Sequence, residues 1–434
     1  MAMHDDRAMH DDSLPGDGHA VLEQTLAPLA ACWGRQDGQL AIDGQPLSAR
    51  VPQTPAYLYS RRCLDAAATA LRSALPESIG VHYAIKANPF PPLVRHMAGL
   101  VDGFDCASLA EMQLAGEVAA SGQKLSIAGP AKSRAEHRHA IRHGITINAE
   151  STGELERIMV EATTLGRRAT VALRVNPPFA LKGSGMHMGG GARPFGIDSE
   201  AIPAILAQRE ALAEGGIDLV GLHLFAGSQS LDTEAIAATL EAWTDLLDDW
   251  QRSSGYTPAE LIVGPGLGVA YHPGERPLDL DRLAPAFARF AARVDTLARA
   301  GGIRIDTRLE LGRFLVAGAG VYLTRVVDRK TSRGTSYLVC DGGMHHHLAL
   351  SGNLGAVLRR NWPLVAADHL DAPADDRVDI AGPLCTPLDV LGRKQSLPSL
   401  GPGDCLAVLQ SGAYGPSASP AGFLSREQPG EYLI

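Results

Sequence analysis

The sequence predicts an α/β fold, a (β/α)8 TIM barrel followed by a C-terminal β-sandwich or β-barrel domain, and three observations carry this reading. From about residue 56 to 300, short apolar runs alternate with longer amphipathic stretches, the pattern of a parallel sheet with crossover helices. Six or more such units fall within about 250 residues, which favours a closed barrel over the alternative, an open doubly wound sheet. After residue 305 the long amphipathic stretches stop, and short apolar runs between Gly- and Pro-rich turns take over, the texture of a mainly β domain.

Taken in order, residues 1–18 hold a near-duplicate, Ala2-Met3-His4-Asp5-Asp6 and Ala8-Met9-His10-Asp11-Asp12, ahead of Pro15-Gly16. This polar stretch reads as a disordered tail. Residues 25–55 contain strand-like pieces, and the segment 19–55 is expected to join the β domain. The barrel is placed at 56–304, with strands expected at 81–85, 125–128, 145–148, 170–175, 217–224 and 260–263. Helices are expected at 62–74, 108–120, 134–143, 151–165, 199–213, 232–252 and 280–300. The β domain, 305–434, has expected strands at 307–310, 314–327, 336–340, 378–380 and 405–409.

Composition excludes several classes of function. At 434 residues, two domains are the natural division. Hydrophobic content of 45% with 20% charged residues is ordinary for a soluble protein. No apolar stretch is long enough to cross a bilayer. The acidic N-terminus lacks a basic region followed by an apolar one, so a secretory signal is not expected and a cytoplasmic location is the default. A net charge of −9 argues against a nucleic-acid partner. The six cysteines are spread with no CxxC pair, which argues against a disulfide framework and against a zinc site. All but Cys385 are expected to be small buried hydrophobes.

The chemistry centres on Lys86, in Tyr83-Ala84-Ile85-Lys86-Ala87-Asn88-Pro89. Its apolar neighbours read as the end of a buried strand, where an ammonium is costly to desolvate and is expected to lose its proton more readily. Such a lysine can form a Schiff base with an aldehyde. Equally open at this point is a surface lysine before an Asn-Pro turn. Barrel enzymes place reactive groups at the C-terminal ends of their strands, and the polar motifs here fall there. Phe104-Asp105-Cys106-Ala107-Ser108, Arg174, His223 with Ala226-Gly227-Ser228-Gln229, Gly264-Pro265-Gly266-Leu267-Gly268 and Glu310-Leu311-Gly312-Arg313 each close an expected unit. Glycines admit close approach of a phosphate, to which Ser228 and Arg313 add donors. A lysine for an aldehyde, a carboxylate for a pyridine nitrogen and a histidine to stack on the ring suit pyridoxal 5'-phosphate.

With those motifs the chain resembles the pyridoxal-phosphate decarboxylases of the alanine-racemase-like fold, the family of ornithine, arginine and diaminopimelate decarboxylases. Further carriers of the resemblance are Asp341-Gly342-Gly343, Gly382-Pro383-Leu384-Cys385 and Gly412-Ala413-Tyr414-Gly415, and the likeness runs from about residue 55 to the C-terminus. It implies decarboxylation of an amino acid through an external aldimine and a quinonoid. Lys86 would carry the cofactor, His223 would stack on its ring, and Glu310 would pair with the ring nitrogen. Ser228, Gly266, Gly268, Gly312, Arg313 and Tyr414 would surround the phosphate, with Asp105 and Arg174 near the cofactor. Cys385 would be the proton donor, and it and Asp389 would come from the partner subunit of a homodimer with shared sites.

The departures concern the substrate. Thr386-Pro387 stands where ornithine-type enzymes carry an acidic residue and diaminopimelate enzymes Glu-Ser, and Ala349 stands where the latter grip a distal carboxylate with arginine. His345-His346-His347 is read as pocket-lining or hydrogen-bonding, not as a metal site, because adjacent residues point in different directions. His346 joins Arg313, Cys385, Thr386 and Asp389 as a candidate substrate residue. The combination is similar to the branch that acts on carrier-protein-tethered amino acids or sits in exopolysaccharide and exosortase clusters, and the Gly-rich segment 182–191 reads as a loop over the site. Three alternatives stay open: decarboxylation of free diaminopimelate, ornithine or lysine; racemisation, which would place arginine at position 310; and a catalytically inactive regulatory protein.

Overall fold

The computed structural model describes residues 32–434 except 182, 273 and 353–359. The expected tail over 1–18, the 19–31 part of the N-terminal segment, Lys182 and Asn353 lie outside the described residues. Eight parallel strands form the barrel: β1 Ile79–Ala84, β2 Gly103–Cys106, β3 Lys124–Ile127, β4 Thr146–Ala149, β5 Ala169–Asn176, β6 Ile217–Phe225, β7 Glu260–Gly264 and β8 Asp306–Leu311. Each pairs with the next, β8 pairs with β1, and β4 pairs with β5, so the sheet closes on itself. Helices follow the strands, and Ser60, Ser108, Ser133, Ser151, Asp232 and Asp279 cap six of them by accepting a backbone amide of the first turn. Such caps satisfy donors that the helix itself leaves open, and they fix where each helix leaves the barrel rim.

Strand β2 was not expected. Its sequence, Gly-Phe-Asp-Cys, has no apolar run, and it is a strand because it fills the gap between β1 and β3. A Cβ at Gly103 would lie 2.1 Å from the Lys124 carbonyl oxygen, so only glycine fits there. The barrel also runs past the expected boundary at 304, because β8 is its closing strand. The expected strand 314–327 begins as a helical turn, Arg313–Val316, and becomes a strand only at Gly320–Ser332. The expected helix 199–213 is broken into Ile202–Leu206 and Arg209–Glu214.

The β domain is built on the long strand Gly320–Ser332, which pairs with Ala56–Tyr59, Thr335–Cys340 and Cys405–Val408. Ala56–Tyr59, counted with the barrel in the sequence, therefore belongs to this sheet. The segment Gly34–Pro46 forms its own three-stranded sheet and hydrogen-bonds the β domain through the Leu40 amide to the Ala367 carbonyl, 2.7 Å. Cys32 and Cys63 are joined in a disulfide, with Cα atoms 5.2 Å apart, which corrects the expectation that both are unpaired. The bridge ties the N-terminal segment to the first barrel helix, Arg61–Ala74. Among the described residues, no helix is long and apolar enough to cross a membrane.

Candidate active site

The two ends of the barrel carry different polar layers. At the N-terminal end Arg308 bonds Glu260 at 2.6 Å, and Lys124 joins Glu260 and Asp306 at 2.7 Å each. These pairs bind β3, β7 and β8 together and neutralise one another. At the C-terminal end the charges converge on one amine. Lys86 lies in a tight turn, Ile85–Ala87, that β1 enters from below. Its Nζ donates to Glu310 Oε1 at 2.9 Å and stands 3.8 Å from Asp105 Oδ2. On the other side of Glu310, Oε2 accepts from His223 Nε2 at 3.0 Å. Strands β1, β2, β6 and β8 each contribute one member because inward-facing positions at the same barrel height come from different strands.

Electrostatics divide these groups into fixed states. Burial would raise the Glu310 pKa, but Lys86 and His223 outweigh it and hold the carboxyl well below its ordinary range. Burial, reinforced by the Glu310 charge, raises Asp105 instead, so of the two carboxyls Asp105 keeps a proton more readily. His223 is pushed down by burial; it is neutral, with Nε2–H donating to Glu310. Lys86 reverses the expectation from its neighbours. Burial lowers its pKa, yet Glu310 and Asp105 together raise it above the ordinary value. The apolar flanks in sequence gave no sign of the two carboxylates that strands far along the chain bring to the amine.

A glycine-lined cradle adjoins this cluster. The 264–268 loop folds against 227–230, with the Ser230 amide donating to the Gly266 carbonyl at 2.9 Å and the Gly268 amide donating to the Ser230 carbonyl at 2.8 Å. Gly266 has φ +74°, and a Cβ there would meet the Gly227 carbonyl oxygen at 2.6 Å; only glycine satisfies both limits. Ser228 sits in the strand Gly227–Ser230, onto which Ser184–His187 of the expected covering loop pairs. Arg313 packs its guanidinium 4.6 Å from the Tyr414 ring centre and donates to the Tyr271 hydroxyl at 3.1 Å. The Tyr414 amide bonds the Ala87 carbonyl at 2.7 Å, and a Cβ on Gly312 would meet the Ala87 methyl at 2.9 Å. The lysine turn and the cradle are thus one packed unit.

Arg174 is tied to Glu150, a residue the sequence reading passed over, at 2.7 Å. Glu150 also accepts the Gly129 amide at 2.6 Å and the Gly196 amide at 3.2 Å. Also missed were Ser126, whose hydroxyl donates to Asp105 Oδ1 at 2.9 Å, and Tyr271. Inward alternation along β3 could have found Ser126, which stands opposite Asp105 in register. Tyr271 carries no local signal.

The candidates in the β domain are placed differently. Cys385 is exposed on the loop between Asp376–Ala381 and Val390–Leu397. Among the described residues, no hydrogen bond or ion pair links it to the Lys86 cluster. Asp389, expected to face substrate, is buried and accepts the Met344 and Leu384 amides at 2.7 and 2.8 Å. A Cβ on Gly343 or Gly382 would meet its carboxylate within 2.6 Å, so it shapes the Cys385 loop from within. His346, expected to line the substrate pocket, is buried between the Tyr322 hydroxyl at 3.3 Å and the Glu427 carbonyl at 2.8 Å, and burial pushes its pKa down to about 4. Among the described residues no group of three potential metal ligands forms.

The barrel-mouth residues fit pyridoxal phosphate on grounds internal to the structure. Among the described residues, buried Asp105 Oδ2, His223 Nδ1 and Arg313 Nε have no hydrogen-bond partner, beside an amine, an ionised carboxylate and a cradle that side chains would fill. The comparisons agree. A family profile described as pyridoxal-dependent decarboxylase, pyridoxal binding domain, matches residues 61–317. L-glutamyl-[BtrI acyl-carrier protein] decarboxylase of Niallia circulans is 34% identical over 88% of this chain and 89% of its own. Diaminopimelate decarboxylase of Deinococcus radiodurans is 33% identical over 88% of this chain and 90% of its own. The crystal structure of diaminopimelate decarboxylase from M. jannaschii superposes with a TM-score of 0.82 at 26% identity, over 94% of this chain and 93% of that one. The chain therefore belongs to the pyridoxal-dependent decarboxylases and is a carboxy-lyase that uses pyridoxal phosphate.

Proposed function

We propose that the substrate is an amino acid carried as an acyl group on a carrier protein, decarboxylated at sites shared between two copies of the chain. The observation that carries this reading is the neutral Thr386 beside Cys385, together with Ala349 in place of an arginine. The loop then offers no ionised side chain to a free distal ammonium, since Asp389 is spent on its own backbone. The relative from Niallia circulans, whose name specifies a carrier-bound glutamyl group, supports it.

When bound, pyridoxal phosphate supplies an aldehyde for amines and a conjugated pyridinium that takes up the electron pair left as carbon dioxide departs. Lys86 Nζ is the amine that would hold the cofactor between turnovers. It must first shed a proton; Glu310 Oε1 at 2.9 Å and Asp105 Oδ2 at 3.8 Å are the carboxyl oxygens beside it. Glu310, kept ionised by its neighbours, would hold a proton on the ring nitrogen. Neutral His223 presents a flat, uncharged face to the ring. Ser228, Gly266, Gly268, Gly312, Arg313 and Tyr414 would surround the phosphate, and Arg174 closes the rim against Phe225 and Phe195, 5.7 and 5.1 Å from their ring centres. Cys385 of the second copy returns a proton to Cα, and Asp389 holds its loop in shape.

Carbon dioxide release from a panel of free and carrier-loaded amino acids tests the substrate. Carrier-bound acyl groups should be turned over well and free diaminopimelate poorly; efficient turnover of free diaminopimelate would sink the proposal. Sharing of sites is tested by mixing inactive Lys86→Ala and Cys385→Ala chains. Random pairing in a symmetric dimer restores up to about a quarter of wild-type activity, whereas self-contained sites would restore none.

A further inference from the structure

A cleft of about 320 Å³ opens directly beside the Cys385 loop, lined by Leu384, Thr386 and Pro387 at one end and by Tyr337, Asp379 and Arg393 at the other. Its shape follows from the sheet. Lys330, Tyr337 and Asp379 stand in one row across three neighbouring strands. The next strand, Val390–Leu397, slips register here, pairing Gln395 with Val378 but Gly392 with Ile380. Asp379 therefore faces two residues at once. Lys394, with φ +49°, turns its amide onto Asp379 Oδ1 at 2.7 Å, and Arg393 remains on the cleft wall. Among the described residues, neither the Tyr337 hydroxyl nor the Arg393 guanidinium has a hydrogen-bond or ion-pair partner.

The volume lies at the small end of the range for ligand pockets, roughly 300–1,000 Å³, and the lining mixes apolar walls with a few convergent polar groups, as binding clefts do. Its polarity runs in one direction. At the cysteine end Thr386 is neutral and both Asp389 oxygens are taken by the Met344 and Leu384 amides; at the far end stands Arg393, with one Asp379 oxygen already satisfied. A side chain ending in an ammonium would meet a like charge, Arg393, at the far end of this path. A flexible chain of amide and methylene groups ending in a phosphate diester matches it: the amides meet Tyr337 and Asp379, and the phosphate meets the guanidinium, whose planar fork suits phosphate oxygens.

We infer that this cleft binds the phosphopantetheine arm of the carrier, laying the acyl group against the Cys385 loop. The inference rests on the carrier-linked reading of the substrate, and its test separates the two. Titration of the cofactor-loaded protein with pantetheine 4'-phosphate, followed by calorimetry, should give saturable binding that weakens by about tenfold in Arg393→Ala, the loss of one charge-assisted contact, and partly recovers in Arg393→Lys. Tyr337→Phe should weaken it less. With the carrier-loaded substrate, Arg393→Ala should raise KM and spare kcat, while KM for the same acyl group on a short thioester lacking phosphate stays unchanged. Binding that is absent in the wild type, or equal in wild type and Arg393→Ala, would overturn the cleft assignment even if carrier-loaded substrates are turned over. Arg393-dependent binding without any turnover of carrier-loaded substrates would uphold the cleft and remove the substrate reading instead.

Discussion

The barrel mouth and the histidine run of the β domain are both buried polar clusters, yet they treat charge in opposite ways. At the mouth, Lys86, Glu310, Asp105 and His223 lie within bonding or ion-pair distance of one another, and the contacts hold Lys86 and Glu310 in their charged forms. In the run, burial pushes His346 down to about 4 and His347 to about 3, and lowers His345 as well. Among the described residues, no carboxylate forms an ion pair with any of the three. A triple histidine in sequence suggests reactivity more loudly than one lysine does. The fold surrounds the lysine with two carboxylates and leaves the histidines neutral and packed, with Tyr57 against His347 at 6.0 Å between ring centres.

The contrast breaks most readily at Lys86. Lys86→Ala should abolish turnover, a loss of at least about 10⁴-fold typical of removing a covalent anchor, with unfolding cooperativity retained. Residual activity within a factor of ten of wild type would remove Lys86 from the chemistry. Glu310→Gln should lower kcat by about 10²-fold or more and also release Lys86 from its nearest counter-charge, so the pH dependence of cofactor loading should shift to lower pH. An unshifted loading profile would mean that Glu310 does not set the state of the amine.

The histidine run should respond in stability and not in catalysis. A histidine whose folded pKa lies below its unfolded value contributes full stability above about pH 6.5 and loses it as pH falls towards the folded value. For His346 and His347, with folded values of about 4 and 3, the loss at pH 5 is roughly 2 kcal/mol each. Urea unfolding between pH 7.5 and 5 should show a falling midpoint, with the raised pKa of Asp105 acting in the opposite sense. A flat profile would contradict the neutral state of the run. Smallest in its effect on turnover, His346→Ala should cost about 1–3 kcal/mol, through the lost contacts to Tyr322 and the Glu427 carbonyl, and leave kcat and KM near wild type. A large rise in KM with unchanged stability would return His346 to the substrate pocket.

Much of this organisation was legible in the sequence, for reasons that differ by region. The barrel strands were readable where both faces are apolar, as in β5 and β6, and unreadable at β2, whose four residues are a strand only because neighbouring strands require one. The convergence of Lys86, His223 and Glu310 was legible because all three stand at strand ends on one side of the barrel. The charge state of Lys86 was not, since it depends on carboxylates 19 and 224 residues away in sequence. Asp389 looked like a substrate ligand because nothing local reveals that the Met344 and Leu384 amides converge on it. The Cys32–Cys63 bridge was missed because composition argues about frameworks of many bridges and is silent on a single pair.

One measurement bears most directly on the account. The protein, loaded with pyridoxal phosphate, is reduced with borohydride, digested and mapped by mass spectrometry. The account predicts one modified peptide, with the pyridoxyl phosphate mass on Lys86, and none when Lys86→Ala is treated in the same way. A label on another lysine, or equal labelling of the variant, would contradict it.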